Sequence, residues 1–142
     1  VIEAIQNTII TALQTITGIG TVDAWQGEVD DLSEILQIPQ TVPALHVIYH
    51  GGAYEDKKVI GANRADEQMR FLIILVNENQ RGRKTGAASS YTVIEAVRAK
   101  LMGLKITPYP GFLWPSRDDL LHALGGLQVY GLLYRVKTSV TV

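Results

Sequence analysis

The sequence predicts an α+β domain, with a mostly antiparallel sheet of about four strands and two long helices packed on one face. Three observations point there. Apolar residues recur at helical spacing near the N-terminus and again after residue 90. The run MRFLIILV is apolar on both faces, as a covered central strand is. The chain closes on LQVYGLLYRVKTSVTV, a long alternating segment. The 142 residues point to one domain spanning 1–142. A chain of that length buries roughly 70% of the surface its unfolded form exposes.

The first helix rests on Ile2, Ile5, Ile9, Leu13 and Ile16, one stripe at steps of three and four. Glu3, Gln6, Asn7 and Gln14 fall largely on the other side, and Gly18 and Gly20 end it. TVDAW (21–25) reads as a short strand. Asp30 or Asp31 is placed to cap a short helix, DLSEILQI, which Pro39 stops. PALHVIYH (43–50) reads as a strand broken by Gly51 and Gly52, and AYEDKKVIGANRADEQ as a loose hairpin. Met69 to Val76 is the strand expected to be most buried.

A second helix follows from Tyr91, Ile94, Val97, Leu101 and Leu104, with Glu95, Arg98 and Lys100 off the stripe. Gly103 sits where a left-handed C-terminal residue belongs. ITPYPGFLWP is rich in turn residues. Ser116 with Asp119 three residues on reads as a capping box for a short helix that ends at Gly125-Gly126. The last segment reads as a strand with Tyr130, Leu132, Tyr134, Val136 and Val140 on one face and a polar opposite face.

Composition limits the functional classes. Hydrophobic residues make up 46% and charged residues 19%, the balance of a globular chain. A net charge of −1 argues against a general or sequence-specific nucleic-acid binder. With no cysteine, disulfides and thiolate metal sites are excluded. The longest strongly apolar run, Phe71 to Val76, is far shorter than the ~20 residues of a spanning helix, so no membrane role is expected. VIEAIQNTIITAL carries Glu3 and no basic start, so it does not read as a secretory signal.

The stretch NENQRGRKTGAASS raises the question of phosphate binding, because a glycine-bearing basic loop lies between a strand and a helix. A phosphate loop needs four residues between its glycines and a Lys-Ser/Thr pair after the second. Here Gly82 and Gly86 are separated by three residues, and Ala87-Ala88 follow. Gly18-Ile19-Gly20 follows a helix and has Asp23 where a third glycine would stand, so it fails as a dinucleotide fingerprint.

His46 and His50 share a strand face but stand about 13 Å apart at ~3.3 Å per residue, and no third ligand is near in sequence. His122 is isolated on the expected short helix. Asp30-Asp31 and Asp118-Asp119 read as helix-start carboxylates. Ser89-Ser90 lacks the nucleophile-elbow glycines. No catalytic, cofactor-binding or metal-binding residue is assigned. Arg81, Arg83 and Lys84 remain, and they read as a protein-contact arm in a loop made adaptable by two glycines.

Taken together, several stretches resemble one family. They are IEAIQNTIITAL, the acidic EVDDLSEIL, PALHVIYHGG, RFLIILVNENQRG, SYTVIEAVRAKLMG and LQVYGLLYRVKTS. The pattern is similar to the Mu-like bacteriophage tail terminator family over nearly the whole chain, the region from Pro108 to Gly126 excepted. The resemblance implies a structural protein of the virion, assembled in the host cytoplasm, with no catalytic residue or cofactor. It implies a hexameric homo-oligomeric ring that caps the tail tube protein, ends tube polymerisation and offers the head-tail joining surface. The implied partners are the tube protein, a head-completion or connector protein and, in contractile tails, the end of the sheath.

A ring of this kind uses heterologous contacts. Residues 51–67, 77–90 and 108–118 are the expected contact segments, and the last strand is open to pairing with a neighbour's sheet. Three alternatives stand beside this reading: a connector of the neck, a generic dimeric interaction domain, and a small ligand-binding domain or enzyme.

Overall fold

The computed structural model describes residues 2–24, 43–59, 62–78, 84–106, 111–124 and 127–141. In chain order the elements are α1 (Ile2–Leu13), β1 (Thr21–Ala24), β2 (Ala44–Val59), β3 (Ala62–Glu78), α2 (Lys84–Leu101), β4 (Lys105–Ile106), β5 (Gly111–Leu124) and β6 (Leu127–Thr141). The strands form one mixed sheet in the order β1-β2-β3-β6-β5-β4, curled into a half-barrel. Four mostly antiparallel strands were expected, so the fold class is corrected to six strands with a parallel β1–β2 pair at one edge.

Two of the added strands come from the turn-rich region. β4 pairs with the start of β5. β5 replaces the short helix expected from Ser116 to Gly125, so the capping box read at Ser116 and Asp119 is wrong, as is the helical placement of His122. The physical reason lies in β6. Without β5, ten residues of a long apolar strand would be left with an unpaired edge. Pro115 is tolerated because β5 lies toward the sheet edge.

β3 is the central strand. It pairs with β2 and β6 along nearly its full length, and every residue from Phe71 to Asn77 is buried. Its alternation divides two clusters. Met69, Phe71, Ile73 and Leu75 join Ile5, Ile9 and Leu13 of α1 and Val93, Val97 and Leu101 of α2 in the main core. Leu72, Ile74 and Val76 join Ala44, Ile48 and Val129 in a smaller cluster on the opposite face, called here the open face. Both helices therefore pack on one side of the sheet.

Three local expectations change. Gly51 and Gly52 do not end β2; the strand runs on to Val59 through a bulge between Tyr49 and Gly51, where Gly51 has φ +117°. That angle is open to glycine at little cost and to other residues only under strain. α2 turns Ser90, Val93, Val97 and Leu101 inward, which leaves Tyr91 exposed although it was assigned to the apolar stripe. Ile2 is likewise exposed.

β6 lies between β3 and β5, so its pairing sides are occupied over residues 127–136. It is not the free strand expected to extend a neighbour's sheet. The helix expected over 31–38 lies outside the described residues, as do the side chains of Val140 and His122.

Candidate assembly surface

The exposed apolar surface gathers on β5. Seven large apolar side chains are exposed among the described residues, and Phe112, Trp114, Leu120 and Leu121 of β5 are four of them. Tyr91 of α2, a fifth, lines a cleft together with Leu120. Monomeric proteins rarely expose contiguous apolar patches larger than a few hundred Å² without a binding role.

Two bulges produce this exposure. Register shifts between Pro115 and Arg117 and between Leu120 and His122 break the strict alternation of β5. Leu113 is buried under the helices, while Trp114 opposes exposed Arg135 on the open face. Past the first bulge, Asp118 and Leu120 oppose Leu132 and Tyr130 on the helix side. At the second bulge, the unpaired Leu121 lies against Gly131 on the open face; a β-carbon on Gly131 would stand 3.0 Å from Leu121 Cδ1. Both faces of one strand therefore carry apolar groups to solvent.

The start of β5 is fixed by the end of α2. Gly103 takes φ +77°, the left-handed conformation expected of it. Its N–H donates to the Leu113 carbonyl at 2.8 Å, and the Leu113 N–H donates to the Leu104 carbonyl at 3.0 Å. β4 pairs with β5 at Gly111 and Phe112, and past Leu113 no described strand pairs with the outer side of β5.

On the helix side, Tyr91, Ile94, Arg98, Asp118, Leu120 and Tyr130 line a cleft of about 320 Å³. Arg98 Nη2 and Asp118 Oδ2, both lining it, form a partly exposed ion pair at 2.9 Å. Burial pushes the Tyr134 phenol up to about 12, with the Asp118 carboxylate adding to the shift and Arg98 opposing it. Burial also raises Tyr130, aided by its neighbour Tyr91 and by a hydrogen bond between the two side chains. These phenols stay neutral, and they position and pack.

The open face carries a second cleft of about 340 Å³, lined by the apolar Leu72, Leu121 and Leu133 together with His50, Arg70, Arg117 and Asp119. Arg117 is ion-paired to Asp119 at 2.7 Å. Asp118 and Asp119 are thus strand carboxylates pointing to opposite faces with a cation each, which corrects their reading as helix-start residues.

His46 and His50 are not brought together: His46 is buried, and burial holds its pKa below the ordinary value while Asp23 pulls the other way. His50 is exposed at the β2 bulge. Among the described residues no three His, Asp or Glu side chains converge as a metal site requires.

Of the residues expected to form the contact arm, Arg81 and Arg83 lie outside the described residues, and Lys84 is described only as the first backbone position of α2. The β5 surface was foreseen only in part, in that 108–118 was among the expected contact segments. Its two bulges hide the period of a strand, so that Leu113, Arg117, Leu120, Leu121 and Leu124 mimic helical spacing. Pro115 gave no warning, since it precedes the helix expected from Ser116, where proline is tolerated.

The family model described as phage tail terminator protein matches residues 5–141. A solved structure titled "Virion of native gene transfer agent (GTA) particle" contains a chain of similar fold, with a TM-score of 0.64 and 17% sequence identity. That match covers 99% of this chain and 98% of the other. No curated protein matches.

Proposed function

Because this chain belongs to the phage tail terminator family, a family of structural phage proteins, we propose that its copies close into a hexameric ring that caps the tail tube and presents the surface joining tail to head. The terminator role itself is that of the family. The ring, its place in the neck, its partners and its assembly in the host cytoplasm are the finer reading proposed here. Residues 1–142 act as one domain in it, and no catalytic step is assigned to the chain.

The observation that carries the ring contact is the apolar exposure of β5 and its helix-side flank, where Tyr91 and Leu120 are each 56% exposed. A heterologous interface needs an apolar core with a polar rim. Tyr91 and Leu120 supply the core, and the Arg98–Asp118 pair and Glu95 supply the rim. The segment carrying Arg81 and Arg83, with Lys84 at the start of α2, is proposed as an accessory arm facing acidic groups of the neighbouring subunit or the tube.

Phage assembled without this chain test the role. The expected particles are headless tails of uncontrolled length beside unjoined heads. Tails of normal length joined to heads would contradict it.

A further inference from the structure

Charge is divided unevenly along the chain. Residues 1–56 hold eight Asp and Glu and no Lys or Arg, whereas residues 79–142 hold nine Lys and Arg against three Asp and Glu. The sheet order carries this division into the fold. β1 and β2 lie on one side of the central β3, and β6, β5 and β4 lie on the other. The helices follow, since α1 packs on β1 and β2 while α2 packs on β3 and β5. Among the described elements, α1 and β1 carry Glu3 and Asp23 and no cation. α2 and β4 carry Lys84, Arg98, Lys100 and Lys105 against Glu95 alone.

Both edges leave charges unmatched. Glu3, Asp23, Lys100 and Lys105 are all exposed, and none enters an ion pair among the described residues, where the pairs are Arg98–Asp118 and Arg117–Asp119. Each edge also exposes apolar groups. Lys105 is the cross-strand partner of exposed Phe112, and exposed Met102 follows Lys100 by two residues. Ile2 precedes Glu3 on α1, and outside residues 91–121 it is the one large apolar side chain so exposed among the described residues. The basic edge is continuous with the contact already assigned to β5. A groove of about 300 Å³ lined by Glu95, Arg98, Ala99 and Met102 shares Glu95 and Arg98 with the Tyr91–Leu120 cleft.

A two-fold contact through either edge would set like charges together, because both copies present the same patch. A contact between unlike edges sets acid against base and repeats from copy to copy. Nucleic acid would match the basic edge alone and be repelled by the acidic one. We propose that the α1–β1 edge of one copy, through Ile2, Glu3 and Asp23, docks on the α2–β4 edge of the next, through Met102, Lys100 and Lys105. The proposal rests on reading the chain as a ring subunit, and it names the neighbour's surface that the α2–β5 flank receives.

Purified full-length chains test it. One variant carries Glu3→Lys with Asp23→Lys, and the other Lys100→Glu with Lys105→Glu, each checked for fold by circular dichroism. Light scattering should show each variant alone associating at least ten-fold more weakly than the native chain. Mixed one to one, they should regain the native mass, and native mass spectrometry should count equal numbers of each, as alternation requires. Glu3→Gln with Asp23→Asn guards against misfolding of the reversed edge, because Asn keeps an oxygen for the Ala24 N–H that Asp23 Oδ1 accepts at 2.8 Å. This variant should also associate more weakly. A folded variant that alone keeps the native mass would overturn the proposal. Loss of joined phage particles in that case would assign the edge to another protein, and loss of duplex binding would assign it to nucleic acid. A mixture of folded variants that stays dissociated would overturn it as well. A native chain that is monomeric at every concentration would instead remove the ring reading, and this pairing with it.

Discussion

Burial holds the His46 imidazole below its ordinary pKa of 6.5, opposed by the Asp23 carboxylate. The unfolded chain therefore takes up a proton near pH 6.5 that the folded chain refuses. Stability is full above that pH and falls as acid is added through 6.5 toward the folded value, by at most about 1.4 kcal/mol per pH unit for this group. Urea unfolding at pH 7.5 and 5.5 should show a smaller loss for His46→Gln than for the native chain; equal losses would remove His46 as the cause. A second residue-scale feature is the buried chain in which Asn77 Nδ2 donates to Ser90 Oγ at 3.0 Å and Ser90 Oγ donates to Gln128 Oε1 at 3.1 Å. It ties β3, α2 and β6 together at one end of the sheet. Ser90→Ala should cost about 1–3 kcal/mol by weakening the satisfaction of buried polar groups. A chemical-denaturation midpoint that does not move would show that the chain is not tight. Neither His46 nor Ser90 announced these roles in sequence, because burial of a polar residue is decided by elements distant in the chain.

At the scale of elements, β3 was legible because its character is local: six consecutive apolar positions, Phe71 to Val76, have one low-energy fate in a folded chain. Ile73 is fully buried in the main core. Ile73→Asp should leave the chain unfolded, since an unpaired buried charge costs several kcal/mol against a total stability of ~5–15. A cooperative thermal transition in the variant would contradict this. α1 was legible for the same reason, through Ile5, Ile9 and Leu13. α2 was found with its face turned: Tyr91 and Val93 both satisfy a helical stripe, and only the sheet beneath selects Val93. β5 was misread because its identity is non-local. Ser116, Asp119 and the paired leucines favour a helix locally, whereas β6 offers ten cross-strand partners that local spacing does not reveal. The same bulges that concealed the strand create the exposed surface, so the least legible element is also the one assigned to assembly.

At the scale of the whole molecule, a net charge of −1 conceals a patterned surface. Arg70 lies on the open face beside the paired Arg117 and Asp119, and apolar groups gather along β5. A chain that leaves Tyr91, Trp114, Leu120 and Leu121 exposed is built for contact with other proteins. Membership of the tail terminator family gives those contacts their context.

The most direct measurement is the mass of the purified chain in solution across rising concentration, by light scattering, for the native protein and for Tyr91→Ser with Leu120→Ser. The account predicts a closed oligomer for the native chain and a monomer with an intact fold for the variant. A native chain that remains monomeric, or a variant that assembles as the native chain does, would contradict the claim that copies meet along β5.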